Sequence, residues 1–142
     1  MNVTVKINTL QIDLTSNKKD NIDFESLGSI KSVKNIDLIK YEESEITGLN
    51  GNTTVLKIEK DSVTMLRYGK NSGTMYFKEG ISSKTLYNTD YGSFELEIFT
   101  KKLNIEKNTD DLLYKINIEY DINIKDLFNG LNILDITVKN IK

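Results

Sequence analysis

The chain contains no cysteine, histidine, proline, tryptophan or alanine. Without cysteine there is no disulfide, no thiolate nucleophile and no thiolate metal site, and the chain suits a reducing compartment. Without histidine it loses the usual neutral-pH general base and the commonest metal ligand, and most hydrolase mechanisms go with them. Alanine is the strongest helix former, so its absence sets an α-rich fold against the residue supply. Long apolar runs are missing as well: Met1 to Leu14 alternates polar and apolar residues, which fits neither a signal peptide nor a membrane span. No charge of one sign dominates, because 19 basic residues face 21 acidic ones for a net charge of −2 and a pI near 5.3. No lysine run reaches the density of a polyanion-binding tract, so the expectation is a cytoplasmic protein with no nucleic acid and no membrane as partner.

Ile, Val and Thr supply 37 positions, and Tyr and Phe another 12, which is a strand-forming composition. At 142 residues the chain has the length of one domain, residues 1–142, with one core. Alternation with period two recurs from end to end between short clusters of Asn, Asp, Gly, Ser and Lys, and about ten strands can be read from it. Val3, Val5 and Ile7 share a face of the first, Ile22 and Phe24 belong to the second, and Ile39, Tyr41 and Glu43 share a face of the third. The loop Ser44 to Asn52 precedes a hairpin of Thr54, Leu56 and Ile58 with Val63, Met65 and Arg67, turning at Lys60-Asp61. Met75 and Phe77 mark the sixth strand, Tyr87 the end of the seventh, and Phe94, Leu96 and Ile98 one face of the eighth. A charged turn is expected over Glu106 to Asp111. Beyond it Tyr114, Ile116, Ile118, Tyr120, Ile122 and Ile124 share a face, and Leu134, Ile136 and Val138 mark the last strand. Lys125-Asp126 and Asn129-Gly130 both fit the final turn. Short loops pair successive strands antiparallel, and a meander with one polar face hides its other face and its edges by closing on itself. The expected fold is therefore an all-β, antiparallel up-and-down barrel of eight to ten strands, with a two-sheet sandwich as the alternative.

The sequence nominates no catalytic residue, no metal site and no cofactor. Asp110-Asp111 and Glu42-Glu43 are isolated doublets, Ser82-Ser83-Lys84 reads as a loop, and no glycine-rich phosphate loop or calcium-binding loop is present. Catalysis would have to run on carboxylates, tyrosine, lysine or arginine, and Glu43 is the carboxylate whose parity places it inside. Arg67 is the only arginine, and its parity with Val63 and Met65 points it inward. An inward guanidinium needs a partner, and Glu43 is the candidate. Two readings follow: the pair is a structural plug, or it lines a ligand pocket together with Tyr41, Tyr87, Tyr91 and Met75. Ile12, Leu27, Val55, Leu66 and Phe99 have outward parity; adjacent to one another they would make a patch for a partner or a homodimer.

Tyr41-Glu42-Glu43 with Gly48, Thr53 to Glu59, Arg67-x-Gly69, Met75-x-Phe77, and Tyr87-x-Thr89-x-Tyr91-Gly92 leading into Phe94 to Ile98 together resemble the YwiB-like family of small bacterial proteins. Asp90 departs from the proline common there. The resemblance implies a calycin-like or lipocalin-like barrel and places the final turn near Lys125-Asp126, but it implies no activity. The functional expectation is a non-enzymatic barrel holding a small anionic or amphiphilic molecule against Tyr41, Glu43, Arg67, Met75, Tyr87 and Tyr91. The alternative is a solidly packed barrel that acts through its surface.

Overall fold

In a computed structural model, which describes residues 1–43, 51–89 and 91–141, the chain forms ten antiparallel strands. They are β1 (Asn2–Asp13), β2 (Lys19–Val33), β3 (Ile36–Glu42), β4 (Asn52–Ile58), β5 (Val63–Gly69), β6 (Gly73–Phe77), β7 (Ser82–Thr89), β8 (Gly92–Thr109), β9 (Leu112–Ile124) and β10 (Phe128–Asn140). Their order in the single sheet is β6-β5-β4-β3-β2-β1-β10-β9-β8-β7, so the two terminal strands pair at its centre, Val5 opposite Val138 and Ile7 opposite Ile136. The meander barrel, and not the sandwich, is the architecture.

The sheet comes round to itself where β6 meets β7. There the two strands form no ladder; Ser72 and Asn88 exchange one pair of backbone hydrogen bonds, of 3.1 and 2.8 Å. Side chains make up the rest of the seam. The Ser83 hydroxyl donates to the Tyr76 carbonyl at 3.3 Å, and the Tyr87 ring lies so close over Gly73 that a methyl group there would collide with it. Phe77 on β6 meets Tyr120 on β9 with ring centroids 4.8 Å apart, a tilted arrangement that packs the two sides of the seam together.

The turns explain the lengths of the strands. Lys34-Asn35 and Asp110-Asp111 hold positive φ at both residues, as a two-residue hairpin turn in a right-twisted ribbon requires, and Asn and Asp tolerate that region. The Asp110-Asp111 turn corrects the expected charged turn over Glu106 to Asp111: β8 runs to Thr109, with Glu106 opposite Lys115 and Lys107 opposite Tyr114. Cross-strand charge pairing makes strand of polar residues that apolar alternation leaves out. The last turn falls at Lys125–Leu127 with Asp126 at φ 63°, and not at Asn129-Gly130, which is part of β10. The expected loop Ser44 to Asn52 lies outside the described residues except for its end, and Asp90 lies outside them too.

The inward faces are the expected ones. Val3, Val5, Ile39, Leu56, Val63, Phe77, Ile98, Ile116, Ile136 and Val138 are fully buried. A bulge between Thr100 and Lys102 resets β8, so that Thr100 points in before it and Leu103 and Ile105 pack on the core after it. The five residues with outward parity are scattered: Val55 and Leu66 are cross-strand neighbours, whereas Leu27 and Phe99 stand exposed on different strands.

A polar latch closes one end of the barrel. Asp37, 5% exposed, accepts hydrogen bonds from the Ser32 hydroxyl and the Tyr114 hydroxyl and pairs with Lys107 at 3.2 Å. The contact ties β3 to β9, with three strands between them in the sheet order. Burial works to raise the Asp37 pKa, but the bonds from Ser32, Tyr114 and Lys107 outweigh it and hold the carboxyl below its ordinary value. The same burial and the Asp37 bond push the Tyr114 phenol up. A carboxyl with a depressed folded pKa contributes stability that is present above its unfolded pKa and lost as pH falls through the folded one. Denaturant unfolding between neutral pH and about pH 2 is therefore expected to show stability falling below about pH 4, and Asp37→Asn is expected to flatten that acid arm while costing about 1–3 kcal/mol at neutral pH. An acid arm of unchanged size in Asp37→Asn would assign the effect to other carboxyls.

Candidate functional site

β3 carries Asp37 at one end of its inward face and Glu43 just beyond the other, six positions on and about 20 Å away at 3.3 Å per residue. The two ends of the barrel differ. The fully buried aliphatic side chains pack the interior toward the Asp37 end, where a depression of about 240 Å³ remains beside Asp37, Lys107 and Tyr114, and the Glu43 half borders a cavity of about 270 Å³. Its apolar wall includes Ile7, Ile22, Leu96, Ile122, Ile124 and Leu134, and its polar wall Thr9, Gln11, Tyr41, Glu43, Arg67 and Tyr87. Two larger depressions, of 820 and 430 Å³, lie outside this interior; one is bordered by the outward Thr4, Glu25 and Lys139, the other by the Lys60-Asp61 turn. The cavity, lined by inward-facing side chains that include the buried Arg67 and Glu43 pair, is the candidate site.

The polar wall is built by register. Thr54 on β4 faces Tyr41 on β3 and Arg67 on β5, so the three side chains form one row across three strands. Glu43 follows Tyr41 by two and points the same way. The Glu43 Oε2 atom accepts from the Thr54 hydroxyl at 2.7 Å and from Arg67 Nη2 at 3.3 Å. Arg67 Nε donates to Thr54 Oγ1 at 3.4 Å, Nη1 to the Tyr87 hydroxyl at 3.3 Å, and Nη2 also contacts the Met65 sulfur at 3.6 Å. The bond to Tyr87 crosses the β6–β7 seam. Beside the row, the Tyr41 ring meets Phe24 at 6.0 Å, and Asn132 donates to the Tyr120 hydroxyl at 3.0 Å.

Burial dominates the electrostatics. It works against the Arg67 charge, but Tyr87 and Glu43 outweigh it and the guanidinium pKa rises. Burial, with the Glu43 charge adding to it, raises Tyr41, and burial raises Tyr120 against the opposing bond from Asn132. These two phenols stay un-ionised well above neutral pH. Among the described residues no three carboxylates come together in a way that could hold a metal ion.

Tyr41, Glu43, Arg67, Met75 and Tyr87 all line the cavity. Tyr91 does not: it sits in the turn after β7, its amide bonded to the Thr89 hydroxyl at 3.1 Å, and its side chain is 93% exposed. It was included as an amphipathic ring, and ring chemistry does not say which way a residue in a turn faces. Sequence reasoning also missed Thr54, Asn132, Gln11 and the Asp37 latch. Their signal was present: Thr54, Asn132 and Asp37 are polar residues in phase with the buried positions of their strands. The Arg67 and Glu43 ion pair also borders the open space.

That pairing has a measurable energy. The Glu43 side chain is 3% exposed and that of Arg67 11%. Arg67→Met strips Glu43 of its cation, and the cost is expected at about 2–3 kcal/mol, below the range for a dry buried pair because the cavity admits water to the carboxylate. Denaturant unfolding of Arg67→Met, Glu43→Gln and the double mutant should return a coupling energy above about 1 kcal/mol. Additive losses would show that the two side chains do not act together.

Comparison with known proteins fits this architecture. The crystal structure of ywiB protein from Bacillus subtilis matches with a TM-score of 0.85 over 99% of this chain and 92% of that one, at 21% identity, a level that shows the shared fold alone. No curated protein matches the chain. The family model described as domain of unknown function DUF1934 matches residues 5–136, and with the YwiB-like resemblance thus borne out, the chain belongs to that family.

Proposed function

We propose that this chain is a ligand-binding barrel that takes a small amphiphilic molecule into the cavity beside Arg67 and Glu43. The observation that carries the reading is the cavity itself, with the buried Arg67 and Glu43 pair in its lining. A protein that needs only stability fills such space, because a void forfeits packing energy. The Glu43 half keeps about 270 Å³ open, lined by apolar and polar side chains together. At about 30 Å³ per water this is room for about nine waters, or a molecule of similar heavy-atom count. Small barrels of the calycin-like kind, which the sequence resembles, have interiors of the size that holds one small ligand. A ligand there buries its apolar part against Ile7, Leu96, Ile122 and Leu134 and presents its head to the Arg67 row. Nothing in this arrangement calls for catalysis by the chain.

Native mass spectrometry of protein purified from its own host tests the reading, with Ile122→Trp as the comparison. The unmutated chain is expected to carry an adduct that organic solvent removes. Ile122→Trp, which puts an indole into the open space, is expected to lose the adduct while changing stability by less than about 1 kcal/mol, since the ring fills a void and does not overpack a core. An adduct-free unmutated chain that also binds no member of an amphiphile library would refute the proposal.

A further inference from the structure

Resting on the reading above, we propose that the head group of the ligand is uncharged and carries both a hydrogen-bond acceptor and a donor, as a primary amide does. Two independent features of the polar wall point there. The first is its charge. Arg67 and Glu43 are the ionised side chains of the cavity wall, they stand 3.3 Å apart, and they cancel. An anionic head drawn to Arg67 comes up against the Glu43 carboxylate, and a cationic head drawn to Glu43 comes up against the guanidinium. Either way the ligand's own charge leaves water for a site whose net charge is zero, so desolvation is not repaid.

The second feature is the hydrogen-bond inventory. Arg67 has five N–H donors. Nε bonds Thr54, Nη2 bonds Glu43 and contacts the Met65 sulfur, and one Nη1 hydrogen goes to Tyr87, all at 3.3 to 3.6 Å. Among the described residues the second Nη1 hydrogen has no acceptor. Glu43 takes both of its donors, Thr54 and Arg67, on Oε2, and among the described residues Oε1 has none. The wall thus offers a ligand one donor and one acceptor from the same ion pair. An amide satisfies both, with its carbonyl to Arg67 and its N–H to Glu43. A carboxylate brings no donor and an ammonium no acceptor, so each leaves one of these buried groups unmet.

The test holds chain length constant and varies the head. Hexanamide, hexanoate and hexylamine, sized to the cavity, are titrated into the full chain at neutral pH by calorimetry, with the Met75 and Ile122 methyl resonances reporting the place of binding. Hexanamide is expected to bind about tenfold tighter than either charged analogue. Hexanoate or hexylamine binding at the same cavity as tightly as hexanamide, or tighter, overturns the uncharged head and leaves the cavity reading intact. No binding and no methyl shift from any of the three brings down both. In Glu43→Gln, shown to be folded by circular dichroism, the guanidinium loses its counter-charge and the preference is expected to move to hexanoate; an unchanged order overturns the charge argument. Should that variant not fold, the order measured on the unmutated chain decides the matter alone.

Discussion

A ten-stranded sheet that closes through one pair of backbone hydrogen bonds must be held shut by side chains, and Arg67 is the side chain that reaches furthest across the gap. From β5 it passes over β6 to the Tyr87 hydroxyl on β7, while its other nitrogens engage Thr54 on the neighbouring β4 and Glu43 beyond the end of β3. A ladder would have made closure a property of the backbone, indifferent to sequence. Here a guanidinium takes part, and its planar fork can serve three acceptors in different directions at once; a lysine is a point charge and cannot. The rest of the wall follows from that requirement. Glu43 compensates the charge, Thr54 supplies the intervening hydroxyl, and Gly73 leaves room for the Tyr87 ring to lie flat against β6.

The same row borders the open space at this end of the barrel. Its side chains bond to one another, and Ile122, Ile124 and Leu134 also line the cavity. At the other end the Tyr114 hydroxyl on β9 bonds directly to Asp37 on β3. Asp37, Ser32, Tyr114 and Lys107 form a compact latch at the rim, and the aliphatic residues above it meet. β3 carries Asp37 and Glu43 follows directly on its end, so one segment contributes a carboxylate to each arrangement.

The fold was largely legible in the sequence, because in a meander the period-two pattern carries both the strand and its inward face. Val3, Ile39, Leu56, Ile98, Ile116 and Val138 declared themselves in this way, and so did Arg67 and Glu43 as inward polar residues. What alternation could not give falls into three kinds. Turn residues have no parity, so nothing in the pattern could show that the Tyr91 ring faces solvent. Ladders held by paired charges lack an apolar phase, so the end of β8 was read as loop although Glu106 faces Lys115. Which strands face each other across the interior depends on closure, so Tyr114 and Asp37, distant in sequence, could not be joined. A residue-by-residue search for polar side chains in the apolar phase would have recovered Asp37, Thr54 and Asn132. It would not have said that Asp37 belongs to a latch and Thr54 to a cavity.

The central claim is that Arg67 closes the seam as well as forming the polar wall, and amide hydrogen exchange measured residue by residue addresses it directly. If the claim holds, Arg67→Met speeds exchange in β6 and β7, because those strands lose the contact that holds them together, while β1 and β10, paired with each other at the centre of the sheet, keep their protection under conditions where the variant stays folded. A uniform loss of protection across all ten strands, or none at the seam, would contradict it and return closure to the Ser72 and Asn88 bridge and the other seam contacts.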